Sequence, residues 1–354
     1  MTLYIVLFMA VCALAIPVSN NYIKESRGYA FSRLSAFSIF LLLFMVSAAR
    51  IAVGNDYWPY VFSFNLISQD RTVASEIGFN TLVRFVQWAC HFTKYYVVVF
   101  AIISFFTCFF FIKGIYKESK WFFYSVFLLM ANGFYYSSLN SVRYYLAVAI
   151  ALYAVNLINE NKHHEFIFAV LCGALVHKSI LIVIPVYYLC KIDFKKWWHL
   201  IPAGFVGSLF IFTDFYRWIM FRVYPYYEAS SFDNGGISKV NVLKSLAVLG
   251  FSLIYYKKAV KDDPQNRFYF NLNLASLVTF LLWYIPEATR IGYYFSITNI
   301  LLIPGILKKI EDKKARIFWA VLIGACYLVY FGFYLKTCYQ TNIRILPYRN
   351  WIFN

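Results

Sequence analysis

Acidic side chains are scarce in this sequence: 16 Asp and Glu stand against 33 Lys and Arg in 354 residues. No DxD pair occurs, and most carboxylates are isolated or sit in lysine-rich loops. A divalent-metal site is therefore hard to assemble, and any catalysis is expected to be metal-free. The seven cysteines, at positions 12, 90, 108, 172, 190, 326 and 338, show no CxxC or Cys/His spacing and lie mostly inside apolar runs. They read as small core residues rather than zinc ligands or a disulfide framework. No phosphate-cradling glycine loop, nucleophile elbow or haem spacing is present, so no cofactor is expected. Long polar stretches are missing as well, which excludes an ordinary water-soluble domain.

What fills the chain instead is apolar: 62% hydrophobic residues, 22% aromatic and only 14% charged. Such a composition describes an all-α polytopic integral membrane protein forming a single membrane domain over residues 1–354. Runs of spanning length fall near 2–18, 34–52, 95–112, 121–137, 142–158, 199–213, 241–256, 268–285, 291–307 and 317–335. Residues 2–18 lack a basic leader and a convincing cleavage site and read as the first span, with no soluble domain appended. The stretch 166–190 has His177-Lys178 at its middle and lysines at both flanks. Two short helices meeting at His177 fit that charge pattern better than one tilted span, which brings the count to about twelve membrane elements.

The net charge of +17 is dispersed as caps between apolar runs, with no basic domain for nucleic acid. Its distribution is sorted by residue type. Lys113, Lys117 and Lys120, then Lys191, Lys195 and Lys196, then Lys257, Lys258 and Lys261, then Lys308, Lys309, Lys313 and Lys314 form compact clusters that mark cytoplasmic loops. The intervening connections carry Arg50, Arg71, Arg84, Arg143, Arg217, Arg222 and Arg290. Arginine suits bidentate contact with phosphate, so the outward face is expected to handle anions. Alternation from these loops puts both termini outside.

Two outer connections are long. Residues 53–94 include Phe79, Leu82, Val83, Val86 and Cys90 at helical spacing with Arg84 off that face, which predicts a helix lying in the interface. Residues 214–240 surround Arg217 and Arg222 with Tyr and Trp, as an aromatic belt or as a sugar-stacking platform.

Four clusters carry residues able to do chemistry. Arg50 to Tyr60 places Asp56, Tyr57 and Tyr60 where the chain leaves a long apolar helix. Asp56 is either a general base toward a sugar hydroxyl, its charge influenced by Arg50, or a helix cap. Arg143 follows Asn140-Ser141 at the first turn of an otherwise uncharged helix, where backbone NH groups and the dipole favour an anionic ligand; a snorkelling arginine is the alternative. His177 and Lys178 stand where ionisable groups are expensive and usually have a partner or a task. Arg290 precedes Tyr293 and Tyr294 by three and four residues, so a helix would gather all three on one face, with Glu287 nearby to orient the guanidinium. The alternative there is an Arg–Glu pair closing a short loop.

In order along the chain, Arg50 with Gly54-Asn55-Asp56-Tyr57, Arg143 at a mid-chain helix start, His177-Lys178-Ser179, and Arg290 with Tyr293-Tyr294 resemble the EpsG family of bacterial exopolysaccharide membrane proteins, related to Wzy-type O-antigen and capsule polymerases. Many relatives have Gln after the mid-chain Arg, where this chain has Tyr144. The resemblance implies a membrane glycosyltransferase of GT-C-like architecture in the bacterial inner membrane. Its implied reaction is polymerisation of undecaprenyl-diphosphate-linked oligosaccharide repeat units on the outer face, for O-antigen, capsule or exopolysaccharide, in contact with membrane lipid and with a chain-length regulator as candidate partner. In that reading Asp56 or His177 is the base and Arg143 and Arg290 hold the diphosphate. Arg50 fixes Asp56 or a second phosphate, and Tyr57, Tyr60, Tyr293 and Tyr294 contact sugars. Lys178, Arg217 and Arg222 complete the expected substrate-binding set. Two rivals remain open: a flippase of the same lipid-linked sugars, expected to line a central cavity with charge, and a membrane O-acyltransferase, whose key His would face a cytoplasmic acyl donor.

Overall fold

The computed structural model describes residues 1–18, 27–71, 73, 75–90, 95–192, 218, 221–222, 237–282, 288–340 and 344–352. Among them the regular structure is helical, with one isolated antiparallel bridge between Arg50 and Asn350. The chain divides into two units, residues 1–181 with 300–354 and residues 182–299.

In the first unit the helices are α1 (Thr2–Ala15), α2 (Arg27–Ala48), α3 (Tyr57–Ser68), α4 (Ile77–Ala89), α5 (Tyr96–Glu118), α6 (Phe122–Ala131), α7 (Phe134–Ser137), α8 (Val142–Asn159) and α9 (His163–Ala174). A 3₁₀ turn, Lys178–Ile182, then leads to α10 (Val183–Lys191) in the second unit, which continues with α11 (Lys239–Ile254), α12 (Pro264–Leu281) and α13 (Ala288–Ser296). The chain returns to the first unit through α14 (Asn299–Lys309) and ends with α15 (Lys313–Gln340). These bounds follow the apolar runs closely, because uncharged stretches in lipid must satisfy every backbone group within the helix itself.

Among the described residues, five helical stretches are long and apolar enough to cross a membrane: Ala30–Ala48, Tyr96–Glu118, Val142–Asn159, Ala288–Lys309 and Lys313–Tyr339. The expected run 121–137 is instead broken at Gly133, which has a φ of +80° and lies against the Tyr334 ring, where a Cβ would come within 2.9 Å. The chain between α9 and α10 is also interrupted, at His177, as the charge pattern predicts. The expected span at 199–213 lies outside the described residues.

Helix α8 is the axis of the first unit: 83% of its span is buried, mainly against α5 and α9. Gly114 lets α5 close on it, since a Cβ there would stand 3.2 Å from the Tyr153 backbone nitrogen. The two ends of α8 differ in chemistry. At its C-terminal end Glu160 pairs with Lys162 at 2.6 Å and Lys117 at 3.7 Å, while Asn156 and Asn159 donate to Glu118. Hydrogen bonding from Lys162 holds the Glu160 carboxyl below its ordinary value. Lys308 joins this end, its ammonium 5.1 Å from the Trp121 ring centre. The other end of α8 begins at Arg143, roughly 26 Å away at about 1.5 Å per residue.

Both chain ends of the first unit belong to that arginine end. The Tyr4 hydroxyl donates to the Ile345 carbonyl at 2.9 Å, and Tyr136 donates to the Tyr4 carbonyl at 2.8 Å. The segment 344–352 is strapped across the end of α2 and the loop that follows. Its bonds run from Ile51 NH to Arg349 O, from Gly54 NH to Arg344 O and from Trp351 NH to Ala49 O, each 3.0–3.1 Å.

Candidate active site

The loop between α2 and α3 is shaped by Gly54. Its φ is +93°, and a Cβ at that position would lie 2.9 Å from the Asn140 Cα, so the backbone requires glycine on both counts. The close approach carries Asp56 to the start of α8. There the Ser141 hydroxyl donates to Asp56 Oδ2 at 2.7 Å, the Asn140 amide donates to the same oxygen at 3.2 Å, and the Asp56 NH donates to Asn140 Oδ1 at 3.1 Å. Asp56 and Ser141 occupy the N-cap positions of α3 and α8, yet neither makes a side-chain cap bond. The two side chains are directed at each other instead.

One turn further, Arg143 donates from Nη1 to Glu76 Oε2 at 2.6 Å. Glu76 stands at the start of α4, is 4% exposed, and uses its second oxygen for the Lys178 NH at 3.2 Å. The same oxygen lies 3.4 Å from His177 Nδ1. Burial alone would raise the Glu76 carboxyl. The close approach of His177 and the charge of Arg143 outweigh it, holding this group below the ordinary carboxylate range. The Arg143 guanidinium also sits 4.9 Å from the Phe79 ring centre and 5.6 Å from that of Tyr60. His177 is buried, with the Tyr144 ring edge-on at 5.5 Å. Two contacts seat α4: Phe79 NH donates to Leu175 O at 3.2 Å, and a Cβ on Gly78 would meet the Leu175 Cβ at 2.6 Å.

Asp56, Tyr60, Arg143 and His177, drawn from three separate sequence clusters, therefore meet at one end of α8. Lys178 contributes its backbone NH, and its side chain is exposed. Glu76 was not among the residues singled out from the sequence. Only its place just before the predicted interfacial helix could have flagged it.

Arg50 and Tyr57 depart from expectation. The arginine was expected to fix Asp56 or bind phosphate, but it is 1% exposed, with Nη1 donating to the Ser47 carbonyl and, at 2.9 Å, to Ser104 Oγ. Its guanidinium lies 5.2 Å from the Phe100 ring centre, and the strap at 344–352 crosses its backbone. The chain leaves α2 two residues before Arg50, and this turns the side chain inward. Tyr57, expected against sugar, is 2% exposed and stacks on Phe100 with ring centres 4.6 Å apart. Its ring is a packing element.

In the second unit, α13 does place Arg290, Tyr293 and Tyr294 on successive turns of one helix. Tyr293 is half-buried and accepts from the Asn241 amide at 2.8 Å. Tyr294, expected to contact sugar, is fully buried, and its carbonyl accepts from Tyr187 at 3.2 Å. Gly292 lets α13 press onto α12, where a Cβ would stand 2.4 Å from the Phe280 ring. Arg222 is exposed and lies over Trp218 at 5.5 Å, whereas Arg217, Glu287 and most of 214–240 fall outside the described residues.

A helix is present where the sequence predicts one, as α4. It buries Phe79, Val83 and Val86, exposes Ile77, Phe85 and Trp88, and pairs the outward Arg84 with Asp70 at 3.1 Å. Helix α3, which packs beside it, was not foreseen.

Compared with known protein families, the chain matches the model described as EpsG family over residues 33–350, nearly its whole length. No curated protein and no solved structure matches the sequence.

Proposed function

The chain belongs to the EpsG family, a Wzy-type polymerase family, and we propose that it polymerises undecaprenyl-diphosphate-linked oligosaccharide repeat units at the outer face of the bacterial cytoplasmic membrane. The observation that carries this reading is the convergence of Asp56, Tyr60, Arg143 and His177 at the arginine end of α8, remote from Lys117, Lys162 and Lys308. Positive-inside sorting assigns the lysine end to the cytoplasm, and the site accordingly to the exterior.

Glycosyl transfer from a lipid diphosphate needs two things of the protein. The acceptor hydroxyl must lose a proton, and the departing diphosphate must be met by preorganised positive charge. Asp56 or His177 takes the proton as the hydroxyl oxygen bonds to the anomeric carbon. The bond from that carbon to the diphosphate oxygen breaks, and its electron pair leaves with the phosphate. Arg143, held by Glu76 and packed between Phe79 and Tyr60, receives the developing charge, and its fork suits a phosphate. Arg290 and Tyr293 remain separate candidates on the second unit, and on the first unit the sugars contact Tyr60.

In a strain deleted for the native gene, Asp56→Asn and His177→Ala should each shorten or abolish the polysaccharide ladder on a gel. Loss of an essential base lowers the rate by about two to four decades. If both variants keep full-length ladders, neither group is the base and the assignment fails.

A further inference from the structure

Resting on that reading, we infer that Glu76 is the positioning residue of His177: it holds Nδ1 of the ring against its carboxylate, so that Nε2 is the atom that takes the acceptor proton. The geometry for this is specific. Oxygen Oε1 of Glu76 faces both His177 Nδ1, at 3.4 Å, and the NH of the next residue, at 3.2 Å. The carboxylate is thereby tied to the backbone that carries the ring, and the interruption between α9 and the 3₁₀ turn is held where the ring needs it. Oxygen Oε2 is engaged separately by Arg143 at 2.6 Å, so neither oxygen is available to rotate away.

The partner facing one imidazole nitrogen decides which nitrogen carries the proton. Glu76 Oε1 lies 3.4 Å from Nδ1, a charge contact rather than a formed hydrogen bond, and its negative charge favours the tautomer with the proton on Nδ1 and the lone pair on Nε2. When Nε2 accepts the hydroxyl proton, the ring becomes an imidazolium facing a carboxylate that stays ionised, as in other nucleophile–base–orienter arrangements. Arg143 serves the same arrangement in a second way. It keeps Glu76 charged in the absence of substrate, and it links the base to the group that meets the diphosphate. Among the described residues, the charged and titratable groups around His177 include Glu76 from the start of α4 and Tyr144 from α8, with Arg143 reached through Glu76 and Lys178 beside it in sequence.

The test is initial rate against pH with purified protein and a lipid-diphosphate-linked oligosaccharide, for wild type, Glu76→Gln, Glu76→Asp and His177→Ala. A base must be neutral to act, so the wild-type rate rises as pH passes upward through the His177 titration. Removing the facing negative charge favours the neutral ring and moves that rising limb to lower pH. Glu76→Gln should lower kcat, by up to about four decades where a carboxylate orients a catalytic imidazole, with little change in KM. Glu76→Asp should keep the limb near its wild-type position at a reduced kcat.

An unchanged kcat and unchanged limb in Glu76→Gln overturn the inference while leaving the polymerase reading intact, provided His177→Ala is inactive. A fully active His177→Ala defeats the use of His177 as base, and this inference with it. If Glu76→Gln does not accumulate as folded protein, Glu76→Asp decides: a slowed, folded enzyme supports the inference, and a wild-type kcat overturns it.

Discussion

At Gly54 the backbone has a φ of +93° and no room for a Cβ beside Asn140, and that single residue sets where Asp56 stands. Gly54→Ala should therefore cost about 1–3 kcal/mol in strain and push Asp56 away from Ser141. A lower melting temperature in detergent and a shortened ladder are the expected readouts. Glu76 makes a second prediction at this scale. Its carboxyl titrates below its unfolded value, so its charge contributes stability that is fully present above that unfolded value, about pH 4.3. The contribution is lost as pH falls through the folded value. Melting temperatures should fall on acidification in this window for wild type and change less for Glu76→Gln, and identical acid profiles would contradict the pairing. At neutral pH, Arg143→Met should destabilise by about 3–5 kcal/mol, because it leaves Glu76 buried without its cation.

Residue by residue, the sequence was informative where a type is out of place in its surroundings. His177 and Arg143 interrupt apolar runs, and Gly-Asn-Asp-Tyr follows one, so all three drew notice without any structure. Glu76 did not, because nothing local distinguishes it from a surface carboxylate in a polar loop. Its meaning lies in partners 67 and 102 positions away. Arg50 misled for the converse reason: a charge just past a membrane helix looks like an exposed end, but the strap at 344–352 encloses it.

Among the elements, that strap does the least visible work. Three backbone bonds, together with the Tyr348 hydroxyl on the Val46 carbonyl at 2.9 Å, tie it to α2 and to the Gly54 loop. Deleting residues 344–354 removes these at about 1 kcal/mol each and opens the surroundings of Arg50. Such a truncation should melt several degrees lower and lose polymer. Helix positions along the chain were legible because spanning runs must be apolar and unbroken, and α1, α5, α8 and α11 each begin or end within a few residues of the expected limits. Breaks were less legible. Gly133 splits a run that reads as continuous, and the reason is the Tyr334 ring far along the chain. Helix α3 was hidden too, since its apolar residues, Val61, Phe64 and Ile67, are packed by α4 and α5 rather than marked by charge alternation.

For the whole molecule the claim is one of sidedness: a lysine end at Lys117, Lys162 and Lys308, and a reactive end at Asp56, Glu76, Arg143 and His177. In a cysteine-free background, Asn55→Cys should react with a membrane-impermeant maleimide in intact spheroplasts, and Lys162→Cys only after permeabilisation. The reverse pattern would place the site in the cytosol. The central claim is tested most directly by reconstituting the purified protein in liposomes with a lipid-diphosphate-linked repeat unit and resolving the products by length. A ladder of multiple repeats that disappears in His177→Ala or Arg143→Ala is the predicted result. A single unextended unit, carried across the bilayer with its lipid, would contradict the account and point to a flippase.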